Sequence, residues 1–322
     1  MIKSDFNLII ETLSKGKKIG ITCHVSPDGD SLGSSLALMQ GLLKLGKEVY
    51  IMSKEALPET FTYLPFSGEV DKQIDYVLEG TDTVVVVDCG NIDRINSNLD
   101  VENRSYKLLN IDHHLSNDLY GDINYVEINA AAVAEIIYNI LKNLEISIDK
   151  DIAACLYTSI LTDTGSFKHS NTTSLTHNIA GELINTGLDF TEIHRIIFEN
   201  KKFSRIKLYG RVIDKMSLSL DGKVCIMELT KAMLNEFNMD NGDTSDIIAL
   251  GTQIDTSEVT ILVKESDDGT KVSLRSKNKL DVRKIAEEFG GGGHIKASGF
   301  SCNKSINEIK EILINKIEKE LV

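Results

Sequence analysis

His24-Val-Ser-Pro-Asp28-Gly-Asp30 and Ile111-Asp112-His113-His114 gather metal-ligand residue types into two short bursts, each at the end of an apolar run. Two further acids, Asp88 and Asp163, stand at the ends of other apolar segments. Imidazole nitrogen combined with carboxylate oxygen suits a divalent transition metal such as manganese, iron or zinc. Two such clusters suggest two metals, and a metal pair suggests hydrolysis by phosphoryl transfer.

Charge sharpens this reading. Asp28, Asp30, Asp88 and Asp163 brought to one rim would repel one another, and some would have to protonate. Two divalent cations neutralise them, while neutral His24 and His113 fill coordination positions without adding charge. One carboxylate can bridge two cations ~3.5–4 Å apart, with a water between them as nucleophile. His114 need not be a ligand; as imidazolium it can hold a phosphate oxygen. Each residue also has an ordinary reading. Asp30 precedes a helix and can cap it, Asp28-Gly29 can be a plain turn, and a lone histidine such as His24 is more often structural. Cys23 and Cys89, beside the suspected ligands, read as small buried packing residues. The coincidence of the whole set favours one shared site.

The positioning elements are those of an α/β fold: apolar strands alternate with helical stretches, the signature of a parallel sheet. Lys18–Cys23, Glu48–Ser53, Thr83–Val87, Lys107–Ile111 and Ile123–Ile128 are the expected strands. Ser31–Leu45, Ala130–Leu144 and Asp149–Leu161 are the expected helices, the last leading into Thr162-Asp163-Thr164-Gly165. In such sheets ligands gather outside the carboxyl ends of the strands. His24, Asp28, Asp30, Asp88 and His113 all fall there, whereas Asp163 follows a helix and has to be brought back. From Ser174 to Met216 the pattern is helical, and then the texture changes to hairpins around Asp221-Gly222 and Asp267-Asp268-Gly269. The expected organisation is a parallel-sheet catalytic domain over 1–187, a helical linker over 188–210, and a smaller mixed α/β domain over 211–322.

The bulk numbers exclude several classes. The 322 residues, 42% hydrophobic and 26% charged, describe a folded globular chain of two domains. The opening MIKSDFNLII is too short and polar for a signal peptide, and no run reaches membrane-spanning length. Five cysteines without a CxxC argue against a disulfide framework or thiolate zinc site. A cytoplasmic setting without membrane contact is expected. Net charge is −13, with 14 basic and 26 acidic residues through Gly187 and 21 and 22 after it. A protein tracking long DNA or RNA needs a basic surface; a small anion needs only a local pocket, and the near-neutral second half is the place to look.

HVSPDGDSLGSSLAL, VVVVDCG, NIDHH and LTDTGSF resemble, in order, the four motifs of the DHH phosphoesterase superfamily. GGGGHIKASG resembles the glycine-rich signature of its DHH-associated C-terminal domain. The nearest subgroup is the nanoRNase/pAp phosphatase type. The resemblance implies that His24 and Asp28 hold one manganese ion and that Asp30, His113 and Asp163 hold the other. It further implies that Asp88 bridges both, Asp112 orients a histidine, and His114 faces the scissile phosphate.

In the second half, Gly290–Gly293 can present backbone N–H groups at close approach, a concavity suited to anions. The plainer reading is a helix stop followed by a loose turn. By the resemblance, Arg275 and His294 grip a terminal phosphate or nucleotide, with Ser276, Gly291, Gly292 and Gly293 lining the same place; Arg suits bidentate phosphate recognition. His169, His177 and His194 read as surface or helix residues. A cleft between the domains then favours short RNA oligonucleotides and 3′-phosphoadenosine 5′-phosphate (pAp). Linear dinucleotides such as pApA and pGpG are an alternative substrate, and a nucleotide-sensing module with a decayed site is a weaker one. The sequence leaves a homodimer open.

Overall fold

The computed structural model describes residues 6–72, 74–100, 104–239 and 245–321. The chain divides into two compact units, Met1–Asn200 and Lys201–Val322.

The first unit runs α1 (Phe6–Lys15), β1 (Lys18–Thr22), α2 (Gly29–Lys44), β2 (Glu48–Ile51), β3 (Thr83–Val87), β4 (Lys107–Asp112), β5 (Ile123–Val126), α3 (Val133–Asn143), α4 (Lys150–Asp163), α5 (Ser174–Ile184) and α6 (Phe190–His194). The five strands form one sheet in the order β2-β1-β3-β4-β5, every pair parallel. The run TVVVV is buried at all five positions, because both of its faces are covered. Val85 and Val87 face the core built with α1 to α5, while Val84 and Val86 face Tyr50, Ile95, Tyr106 and Leu108. Strand order reverses between β1 and β3, the switch point at which such sheets bind ligands.

α1 was not expected, and it closes this core with Ile9 and Leu13. The helix after β1 starts two residues earlier than expected, at Gly29, and its cap is Asp28 rather than Asp30. Asp28 accepts from Ser31 N–H at 3.0 Å, and Ser31 Oγ accepts from Asp28 N–H at 3.0 Å, a reciprocal capping box. α2 lies close against α4. A Cβ on Gly33 would sit 2.4 Å from the Cys155 carbonyl oxygen, and one on Gly29 would sit 2.5 Å from Thr162. This approach carries the end of α4, and with it Asp163, to the start of α2.

The second unit opens with α7 (Phe203–Lys215) and continues β6 (Ser217–Ser219), β7 (Val224–Leu229), α8 (Lys231–Glu236), α9 (Ser245–Gly251), β8 (Val259–Ser266), β9 (Gly269–Ser276), α10 (Val282–Glu287), β10 (Gly292–His294), β11 (Ala297–Cys302) and α11 (Ile306–Leu321). Its six strands form a mixed sheet in the order β10-β11-β9-β8-β7-β6, with β7 and β8 parallel and the other neighbours antiparallel. One face packs on α10 and α11 through Val272, Leu274, Ile285 and Leu313. The other packs on α7 to α9 through Leu208, Met227, Ile248 and Leu262. Gly210 lies inside α7 and stops nothing. Both hairpin turns form where the glycines predicted them. Among the described residues no helix is long and apolar enough to cross a membrane.

Candidate metal centre

Three strand ends and two helix ends converge on a single rim, the start of α2 bringing Asp28 and Asp30. β1 delivers His24, β3 delivers Asp88, β4 delivers Asp112 and His113, and α4 delivers Asp163. His24 Nε2 lies 3.6 Å from Asp28 Oδ1 and 3.4 Å from Asp88 Oδ2. His113 Nε2 lies 3.5 Å from Asp163 Oδ2, 3.7 Å from Asp88 Oδ1 and 3.8 Å from Asp30 Oδ2. Ligand-type atoms of His24, Asp28 and Asp88 fall within 4.8 Å of one another, as do those of Asp30, His113 and Asp163, and of Asp88, His113 and His114. Asp88 thus turns one carboxylate oxygen toward each imidazole.

The hydrogen bonds around the rim fix which atoms face inward. His24 donates from Nδ1 to the Val25 carbonyl at 2.8 Å, and His113 from Nδ1 to the Ala130 carbonyl at 3.0 Å. Each ring therefore presents Nε2 to the acids, the arrangement of metal-ligating histidines. Asp30 is almost fully buried (1% exposed) and accepts from Ser159 Oγ at 2.5 Å, Val133 N–H at 2.9 Å and Ser34 Oγ at 3.1 Å. Asp88 is 3% exposed, its backbone held left-handed at φ 54°, and its Oδ1 has no hydrogen-bond partner. A buried carboxylate oxygen without a donor is costly unless a cation takes that place. The donor set, its charge and this orphaned oxygen all fit divalent cations.

The charges on these groups are strongly displaced. Burial, compounded by repulsion from Asp30, pushes the Asp88 carboxyl well above its usual range. Burial and the charges of Asp30 and Asp88 do the same to Asp163, and burial raises Asp30. Burial disfavours a charged His24, but the Asp28 and Asp88 carboxylates outweigh it and hold the ring up to about 11. At Asp28, whose side chain is 57% exposed, His24 and Ser31 outweigh any desolvation and hold the carboxyl down to about 2. A cation entering here displaces protons, so its binding strengthens as pH rises.

His114 stands apart from the other two histidines. Its Nδ1 donates to Asp112 Oδ1 at 2.8 Å, and Asn117 Nδ2 donates to Asp112 Oδ2 at 2.5 Å. Burial opposes the charged ring, but Asp112 raises its pKa overall. His114 is thus oriented by Asp112 and lies beside Asp88, with Nδ1 at 3.6 Å from Asp88 Oδ1.

Several supporting residues escaped the sequence reading. Ser34 is four residues after Asp30 on α2, and Ser159 is four before Asp163 on α4. That spacing puts each on the same helix face as an acid and was a usable signal. Asn117, Asn171 and Glu135 carried no comparable signal. His169, expected at the surface, is exposed but its Nδ1 donates to the Asp163 carbonyl at 3.2 Å.

In the second unit, Arg275 on β9 and His294 on β10 both pair in register with Ala297 on the strand between them. Residues directly opposite in antiparallel strands project to the same face, so the two share a face across a small residue. The glycine run is not a loose turn. Gly290 lies in the turn after α10 at φ 73°, and Gly292–His294 is a strand. A Cβ on Gly291 would lie 2.2 Å from the Gly299 carbonyl oxygen, and one on Gly293 2.5 Å from that of Ala297. Close backbone packing therefore accounts for two of the four glycines. Ser276 spends its hydroxyl on the Leu280 carbonyl at 2.6 Å.

Fold and rim together define an α/β protein with a carboxylate–histidine metal-type cluster at the carboxyl ends of a parallel sheet, followed by a mixed-sheet domain. Residues 18–160 match the DHH family, N-terminal domain, and residues 221–321 match the DHHA1 domain. The bifunctional oligoribonuclease and PAP phosphatase NrnA of Thermus thermophilus is 31% identical over 305 residues, spanning 94% of this chain and 90% of that protein. The protein of the same name from Bacillus subtilis is 31% identical over 300 residues, spanning 91% and 92%. An exopolyphosphatase-related protein from Bacteroides fragilis superposes with a TM-score of 0.88 at 27% identity, covering 98% of this chain and 95% of that one. The chain belongs to the DHH family.

Proposed function

We propose that this protein is a metal-dependent phosphohydrolase that degrades very short RNA and removes phosphate from pAp, using two divalent cations, manganese foremost. The observation that carries this reading is Asp88. Its carboxylate turns Oδ2 to His24 of the His24–Asp28 group and Oδ1 to His113 of the Asp30–His113–Asp163 group, and the buried Oδ1 has no protein donor. The substrate class is supported by relatives that bear the oligoribonuclease and PAP phosphatase name over most of their length.

Divalent cations supply Lewis acidity for a phosphoryl oxygen and lower the pKa of the attacking water. His24, Asp28 and Asp88 would hold one, and Asp30, Asp88, His113 and Asp163 the other. His114, kept protonated by Asp112, donates to a non-bridging phosphate oxygen and stabilises charge developing there. In the second domain, Arg275 and His294 bind a phosphate or nucleotide of the substrate, with the Gly291–Gly293 strand as backbone floor. Arg275 is suited to this because its planar fork matches a phosphate bidentately. We place the domain limits at 1–187, 188–210 and 211–322, and the protein in the cytoplasm.

The test compares kcat/KM for pAp, RNA dimers to pentamers and a long RNA in one Mn²⁺ buffer. Preference for pAp and the short oligomers by at least about tenfold, a difference of roughly 1.4 kcal/mol, is expected. Equal or faster degradation of the long RNA contradicts the proposal.

A further inference from the structure

One tetrapeptide, residues 130–133, is tied to every member of the Asp30–His113–Asp163 group. Its Ala130 carbonyl accepts from His113 Nδ1 at 3.0 Å, and its Val133 N–H donates to Asp30 Oδ2 at 2.9 Å. The third tie runs through Asn171. Its Nδ2 donates to the Ala131 carbonyl at 2.9 Å and to the Asp163 carbonyl at 3.2 Å. Two carbonyls facing one side-chain amide require its NH₂ group, and both hydrogens are used. The tetrapeptide is anchored in turn: Ala131 N–H donates to Glu135 Oε2 at 3.2 Å, and Thr176 Oγ donates to Glu135 Oε1 at 2.6 Å.

We infer that Asn171 is a positioning residue for one of the two cations, setting the separation of His113 and Asp163 by bridging Ala131 to Asp163. The inference rests on the proposed reading that this group takes a divalent cation. Asn171 acts through backbone: it holds the carbonyl of Asp163 against the strap that carries the hydrogen-bond acceptor of His113. The intervening turn needs such a tie. Gly165, Ser166 and Phe167 have successive φ of 54°, 62° and 62°, a left-handed run that L-residues with a Cβ resist. His169 also reaches the Asp163 carbonyl, but among the described residues it makes no hydrogen bond to the strap and so does not replace the bridge. The His24–Asp28–Asp88 group is held differently, by the Val25 carbonyl and the Ser31 capping box.

The test is Asn171→Asp, which keeps the shape but substitutes an acceptor for both donors. Mn²⁺ binding to chelator-treated protein is counted by equilibrium dialysis, with folding followed by circular dichroism. Wild type is expected to take two ions per chain. Asn171→Asp is expected to keep one at wild-type affinity and to bind the other on the order of 10–100-fold more weakly, with kcat recovering at saturating Mn²⁺. Asp163→Asn should weaken the same ion, and the double variant should add little further loss. Thr172→Val, in the same loop, should leave both ions in place. Should Asn171→Asp fail to fold, Asn171→Ser, which retains one donor, is read in its place. Retention of both ions at wild-type affinity, or equal weakening of both, overturns the role assigned to Asn171. Fewer than two ions in wild type overturns the two-metal reading, and this inference with it.

Discussion

His114 donates its Nδ1 proton to Asp112 Oδ1 across 2.8 Å, and Asp112 is wholly buried. Burial alone would push the ring toward neutrality; the adjacent carboxylate reverses that and raises its pKa. The activity of the wild-type protein should therefore fall at the alkaline end as His114 loses its proton. Asp112→Asn removes the stabilising charge, so the alkaline limb of the kcat/KM profile should move to lower pH. Activity at neutral pH should drop on the order of 10–100-fold. An unshifted limb contradicts a charged role for His114.

Stability should respond to pH in a direction set by the same cluster. Asp88, Asp163 and His24 bind protons more tightly in the folded protein than in the unfolded chain. Their contribution is present at low pH and is lost as pH rises through the folded values. Asp28 and Asp112 are held low, so their contribution is lost as pH falls below the usual carboxylate range. Chelator-treated protein should thus show its highest Tm at about pH 4–6 and a lower one toward pH 9. Added Mn²⁺ should raise Tm more at the alkaline end. A chelated protein whose Tm climbs steadily to pH 9 contradicts this.

Asp88→Asn separates stability from activity. It removes a buried, mutually repelling carboxylate while keeping a residue type that tolerates the left-handed backbone. Chelator-treated variant protein should melt a few degrees higher than wild type, and turnover should fall on the order of 10²–10³-fold or more. A lower Tm in chelator would show that the carboxylate is not repelled there.

Ser159→Ala tests the shell around Asp30. The hydroxyl is 2.5 Å from Asp30 Oδ1, and losing it leaves that oxygen held by Ser34 alone, at 3.1 Å. Mn²⁺ affinity should weaken on the order of 10-fold, seen as a raised metal requirement with kcat regained at saturation. An unchanged metal requirement contradicts the role.

Arg275→Ala, in the second domain, should raise KM for pAp by at least about tenfold while kcat changes little, the pattern of lost substrate binding. A pure kcat loss contradicts its assignment to substrate binding.

Much of the rim was legible because ligand types at the ends of apolar strands can only emerge on one edge of a parallel sheet. Asp163 was harder to place. Its position depends on α2 and α4 approaching through Gly29 and Gly33, which a single sequence does not announce as a contact. Asp28 was readable as a turn or as a metal-type acid, and its carboxylate takes part in both the helix cap and the His24 group. Asp30 was readable as a metal-type acid or as a helix cap, and it lies within the helix, held by Ser159, Ser34 and Val133. Asn171 was invisible because it works through two backbone carbonyls, and backbone geometry leaves no mark on residue spacing. The glycine run was read as an anion-binding concavity or a loose turn; the strand β10 and its close contact with β11 add a packing reason of their own.

Phosphate release from pAp by chelator-treated protein, as Mn²⁺ is titrated back, tests the binuclear proposal most directly. Turnover should be absent in chelator and should rise until two equivalents per chain are bound. It should be lost on the order of 10²–10³-fold or more in Asp88→Ala and His113→Ala. Full turnover in chelator, or unchanged turnover in both variants, would contradict it.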